Sequence, residues 1–138
     1  MIKIKRRTQP IKLSEFAQEY GEEDVIVVWV NPSREVMQRY EKLRMQSSAA
    51  LNELKQLSKK KDVSEEQKLS VSAKLEAVTD TFYSWYAEVW SSKTNNLTPE
   101  EVREFGQQCQ DQDPALWLYM TTKTIELIKS HRISAKKG

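Results

Sequence analysis

Val36, Tyr40, Leu43, Ser47, Ala50, Leu54 and Leu57 advance along the chain in alternating steps of four and three. After the polar run Ser58-Lys59-Lys60-Lys61-Asp62 the rhythm resumes as Val71, Leu75, Val78, Phe82, Trp85 and Val89. A side chain recurring every 3.5 residues or so returns to one face of an α-helix, so each stretch carries a single apolar seam. Two such seams joined by a short polar turn bury each other when the chain folds back as an antiparallel αα-hairpin.

Local signals set the ends of this hairpin. Asn31 is expected to cap the first arm, with Pro32 in its first turn where a missing N–H costs nothing. The arm then runs to about Lys59, roughly 40 Å at the helical rise. Ser64-Glu65-Glu66-Gln67 is a capping box that opens the second arm, which persists to about Ser91. Ser92 to Asn96 reads as a linker. Thr98-Pro99-Glu100-Glu101 opens a third helix carrying Val102, Phe105 and Cys109, and Asp113-Pro114 starts a fourth carrying Leu116, Trp117, Met120, Ile125, Leu127 and Ile128.

Ahead of the hairpin, Ile2 and Ile4 alternate with Lys3 and Lys5, which predicts an edge strand guarded by lysines. Leu13 to Gly21 predicts one or two helical turns, with Ser14 as the cap and Gly21 in the left-handed closing position. Val25 to Val30 is β-branched and nearly continuous, which predicts a strand covered on both faces. The expected fold is mainly α with a small β part: a long antiparallel αα-hairpin, a small N-terminal β element and two short C-terminal helices. The sequence divides into a β and short-helix element over 1–31, the hairpin over 32–92, C-terminal helices over 98–131 and a flexible basic tail over 132–138, all within one domain.

Composition narrows the functional classes. Only three glycines and four prolines occur in 138 residues, and 30% of residues are charged, which suits a helical soluble protein. Lys plus Arg exceed Asp plus Glu by 22 to 20, so the whole chain is no polycation for nucleic acid. Basic runs at Lys3 to Arg7, Lys59 to Lys61 and Arg132 to Lys137 offer phosphate contacts, but no basic helix carries base-reading residues. No apolar run reaches the roughly 20 residues of a membrane span. The basic N-terminus lacks the apolar stretch of a signal peptide, and the lone Cys109 fits a reducing cytoplasm.

Catalytic and metal chemistry have little to build on. His131 is the only histidine, stands at the end of the last helix without a second ligand, and suits a structural place at a helix C-terminus. Cys109 has no histidine beside it and reads as a half-buried, inert thiol. Glu22-Glu23-Asp24 clusters carboxylates at a turn, without the glycine of a calcium loop, and reads as a solvated loop. No glycine-rich phosphate loop is present. The expectation is a non-enzyme without cofactor or metal.

Aromatic surplus is the remaining signal. On a helical projection Val71, Leu75, Val78, Phe82, Trp85, Tyr86 and Val89 share a stripe about 100° wide, and Tyr83 and Trp90 widen it to about 160°. The fourth helix is broader still, at about 200°. Most of these side chains are expected to bury one another. Tyr83, Trp90 and Tyr119 are left over, and large aromatics left at a surface are enriched at protein interfaces; with Trp117 and the adaptable Met120 they are the expected partner-binding residues.

Val28-Trp29-Val30-Asn31-Pro32-Ser33 ahead of the hairpin, the Thr98 to Glu101 helix start and Asp113-Pro114-Ala115-Leu116-Trp117 together resemble the tail assembly chaperones of long-tailed bacteriophages. The resemblance spans most of the chain. It implies a non-catalytic protein of the host cytoplasm that coats the helical tape-measure protein before the tail tube polymerises, with the tube protein and further copies of itself as additional partners. It also implies a longer product made by ribosomal slippage, with which Lys136-Lys137-Gly138 is compatible. The hairpin is longer and more regular than in that family, which leaves the alternative of a self-assembling structural subunit of a phage tail or head; the basic runs leave a second, a small nucleic-acid-binding regulator.

Overall fold

The computed structural model describes residues 1–60 and 62–137; Lys61, in the expected lysine turn, and Gly138 lie outside them. The described residues form strand β1 (Thr8–Lys12), a 3-10 turn (Leu13–Glu15), β2 (Val25–Trp29), α1 (Arg34–Ser58), α2 (Glu65–Val89), β3 (Trp90–Ser91), α3 (Pro99–Gln112) and α4 (Pro114–Lys137). The molecule is mainly α, with the long helical hairpin the periodicity demands.

Helices α1 and α2 run antiparallel. Arg39 stands opposite Glu88 and Glu53 opposite Lys74, so one helix ascends as the other descends. Val36, Leu43 and Ala50 of α1 and Val71, Trp85 and Val89 of α2 are buried along the hairpin. The capping box at α2 is complete: Ser64 Oγ accepts from the Gln67 N–H at 3.1 Å, and Gln67 Oε1 accepts from the Ser64 N–H at 3.4 Å. Thr98 and Glu101 do the same for α3 at 3.1 and 3.2 Å.

The cap of α1 is not Asn31 but Ser33, whose Oγ accepts from the Val36 N–H at 3.3 Å. Pro32 therefore precedes the helix rather than occupying its first turn. Asn31 is committed elsewhere. Its Oδ1 accepts from the Arg7 N–H and from Trp29 Nε1, and its Nδ2 donates to the Lys5 carbonyl at 2.9 Å. One amide thus clamps the chain on its way into β1.

The sheet is antiparallel in the order β1-β2-β3. Pairing of β1 with β2 runs from Thr8 opposite Trp29 to Lys12 opposite Val25. The strand expected at Ile2 and Ile4 is displaced to Thr8–Lys12, and both isoleucines are left exposed. A period-two pattern needs a partner and a face to cover, and it is Ile11 that finds one, at 1% exposure. The helix expected over Leu13–Gly21 shortens to a single 3-10 turn without a side-chain cap. Gly21 has no positive φ; its N–H donates to Asp24 Oδ2 at 2.9 Å, so a carboxylate closes this turn instead.

Strand β2 buries Val28 fully, and Val30 just beyond it, while Val25, Ile26, Val27 and Trp29 are only half-buried. One face is sealed and the other partly covered, short of the two-sided burial expected. β3 has no forerunner in the periodicity. Trp90 leaves the helical path at φ −106° and ψ 145°, and Val27 and Val28 pair with Ser91 and Trp90. Helix α3 packs on α2, and α4 packs on α3 and reaches β1 and β2, so one core joins the sheet to the hairpin base. The tail expected to be flexible from Arg132 continues α4 through Lys137. Among the described residues no helix is long and apolar enough to cross a membrane.

Candidate protein-binding surface

Helix α3 packs along α2, while the valley between α1 and α2 is open. It holds a groove of about 480 Å³ floored by Leu43, Ala50 and Val78 and edged by Ala49, Ala77 and Thr81. A second hollow of about 270 Å³ continues it toward the hairpin base, over Trp85 and Ser84. Small side chains make the valley: a helical position occupied by alanine lets a neighbouring backbone approach closely. Ser47-Ser48-Ala49-Ala50 shows this in the sequence.

Two ion pairs cross the valley near its ends. Arg39 grips Glu88 through two nitrogens, at 2.8 and 2.9 Å, and Lys74 reaches Glu53 at 3.4 Å. The Glu88 hydrogen bond pushes the Arg39 pKa further up; desolvation opposes it, and the charges of Glu88 and Glu35 add to the rise. These exposed pairs fix register more than they add stability, at about 0.2–1 kcal/mol each. Elsewhere on the hairpin Met45, Leu51 and Leu69 are exposed.

Of the five expected partner-binding residues, three are interior. Tyr83, Trp90 and Met120 are 5%, 1% and 0% exposed, which overturns the expectation that they are left at the surface. Helical projection placed Trp90 on the flank of α2, but the switch to β3 turns its ring into the core. There the indole lies 4.6 Å from the Tyr86 ring and 5.5 Å from that of Trp117. Tyr83 is covered by α3, which approaches through Gly106. Trp117 is half-buried and meets Tyr83, Tyr86, Trp90 and Phe105 edge-on, so it serves as the hub of that cluster. Tyr119 stands apart, half-buried against Phe16 at 5.3 Å, beside the exposed Leu118. The sheet and α3 supply the partners that a two-helix projection leaves out.

Side-chain chemistry in this region is muted. Burial, and then Asp113, pushes the buried Cys109 thiol up, away from a reactive thiolate. Burial raises the Tyr86 phenol strongly, and raises Tyr83 and Tyr40 less. His131 lies inside α4, which runs on to Lys137, and not at the helix end. What the surface offers is a shallow, small-residue valley with polar edges, a shape suited to a helix. No protein family, curated protein or solved structure matches this chain.

Proposed function

We propose that the protein is a non-catalytic assembly factor that holds a helical segment of another protein along its hairpin. The observation that carries this reading is the open α1/α2 valley, floored by Leu43, Ala50 and Val78 and bordered by exposed alanines. A helix laid there makes a three-helix arrangement, which is how amphipathic segments dock into grooves. The resemblance to bacteriophage tail assembly chaperones gives the client a chemistry: the tape-measure protein, a very long helix with apolar stripes that self-associates unless covered. The place of action on this reading is the host cytoplasm, with delivery to the growing tail tube. Shallow valleys of small residues favour many weak, repeated contacts over one tight site, as a coating protein requires.

Co-expression with a tape-measure fragment tests the reading. The fragment stays soluble with the wild-type protein, and Ala77→Arg, which fills the valley from an exposed position, returns it to the pellet. Trp90→Ala is no test, because the loss of a core tryptophan unfolds by about 3–5 kcal/mol whatever its partner. Equal precipitation of the fragment with and without the protein overturns the proposal.

A further inference from the structure

A second heptad line runs along each lip of the valley, outside the buried seam. On α1 it is Arg39, Lys42, Gln46, Ala49 and Glu53, in alternating steps of three and four. On α2 the same steps give Lys74, Ala77, Thr81, Ser84 and Glu88. All of these residues are exposed. Residues so spaced share one helical face, the pattern of a helix that meets a further helix. The middle of each line is small or uncharged, and the Thr81 hydroxyl donates to the Ala77 carbonyl at 2.8 Å, so it needs no outside partner.

Charge within these lines stands only at their ends, and it alternates diagonally. Arg39 and Lys42 make the base end of α1 positive, and Glu53 makes its far end negative. On α2 Glu88 is the negative base end, opposite Arg39, and Lys74 the positive far end, opposite Glu53. Such a face is its own complement when turned over. A second hairpin laid face down and antiparallel sets its Glu53 over Arg39 and Lys42, and its Lys74 over Glu88. Gln46 then meets Gln46, whose amide offers both donor and acceptor. A parallel second hairpin would match the charges too, but it would bring the two bases together. Each base carries the cationic run Lys3 to Arg7, fixed there by Arg6, whose guanidinium donates to the Glu88 carbonyl at 3.3 Å. Like charges facing each other disfavour that arrangement.

We infer that the free protein pairs valley to valley with a second, antiparallel copy, and that a client helix has to displace that copy. The face is about 21 Å long and two helices, or about 20 Å, wide. A pair therefore hides roughly 800 Å² in total, in the range of weak and transient contacts. The same patch serves both copies, so the contact closes at the dimer. The displacement rests on the function proposed above; the pairing does not.

Sedimentation equilibrium of the full chain between ~10 µM and ~1 mM reads the pairing, expected as a monomer–dimer equilibrium that weakens with salt. Glu53→Lys and Lys42→Glu each set like charges against one another twice per dimer and weaken it roughly tenfold. The chain carrying both regains most of the loss. Positions 42 and 53 lie about 16 Å apart on one helix, so this rescue passes only between copies. Gln46→Cys crosslinks as a dimer under mild oxidation, since only the antiparallel arrangement sets position 46 against itself. A wild-type chain that stays monomeric throughout, growth beyond the dimer, or a double charge variant that regains nothing overturns the inference. An added tape-measure fragment is expected to convert the dimer into a one-to-one complex, and a fragment seated on an intact dimer overturns the displacement. A monomeric chain that keeps the fragment soluble sinks the pairing alone, whereas a charge-dependent dimer that leaves the fragment in the pellet sinks the proposed function alone.

Discussion

The indole N–H of Trp90 donates to Thr124 Oγ1 at 2.8 Å, and that hydroxyl donates onward to the Met120 carbonyl at 2.7 Å. Thr124 is fully buried and Trp90 is 1% exposed, so this relay ties the end of α2 to the middle of α4 where water cannot substitute. Thr124→Val keeps the shape and strands the indole N–H. A buried donor without a partner costs about 1–3 kcal/mol. The expected drop in melting temperature is roughly 3–10 °C, and Thr124→Ser, which keeps the hydroxyl, is expected to show only a small part of it. A valine variant that melts with the wild type would show the relay to be energetically idle.

Gly106 sets the distance between α2 and α3. A Cβ there runs into the Tyr83 ring, which is itself braced edge-on by Trp117 at 5.5 Å. At an unconstrained helical site alanine is better than glycine by about 0.5–1 kcal/mol. Here overpacking wins, and Gly106→Ala is expected to destabilise by roughly 1–3 kcal/mol in urea unfolding. Combining it with Tyr83→Ala should recover part of that loss, as residues in contact couple. Greater stability in the single alanine variant would mean that α3 rides higher on α2.

The helices were legible in the sequence because each rests on local signals: an apolar seam and, at two starts, a reciprocal cap. The boxes at Ser64 and Thr98 occur as expected because both of their partners lie within one turn. Asn31 shows the limit of that logic. Its type suits a cap, but a long-range demand from Lys5, Arg7 and Trp29 claims its side chain and leaves the cap to Ser33. The Ile2/Ile4 pattern misleads for a related reason, since alternation says nothing about whether a partner edge is in reach. The aromatic surplus was a surplus only against two helices. β3, invisible to a helical projection, and the buried hydroxyl of Thr124 supply the third side that encloses Trp90.

Alkaline pH should unfold this protein earlier than its composition suggests. Cys109, Tyr83 and Tyr86 all have folded pKa values raised above their unfolded ones, chiefly by burial. The unfolded state therefore loses these protons first, and stability falls with rising pH. The loss begins near the ordinary thiol value of about 8.5 and steepens past the ordinary phenol value of about 10. Below those values the contribution is complete and flat. Urea midpoints across this range check it. Tyr86→Phe, which removes the largest shift, should flatten the decline above pH 10 or so even if it lowers the plateau. An unchanged slope would mean that other groups govern the transition.

The distal half of the hairpin should open before the rest. Its buried seam is reduced to Ala50 and Val71, which stand outside the main core, with Leu54, Leu57 and Leu75 only half-buried around them. Two helices without a third layer have little apolar area to offset the ordering of their backbone. Amide exchange in residues 51–60 and 64–72 is therefore expected to run at least roughly tenfold faster than in 83–89 and 116–128, where the aromatic cluster and the sheet close over α2 and α4. That looseness matters to the proposed function, because a rod that breathes can adjust its valley to a client whose stripe varies along its length. Binding of a tape-measure fragment in the valley should slow exchange at 46–53 and 74–81, the segments that line it, and leave the tip between them largely unprotected. Uniform protection along both arms of the free protein would remove the premise, and client-induced protection confined to α4 would move the binding surface to the exposed side of Leu118 and Tyr119.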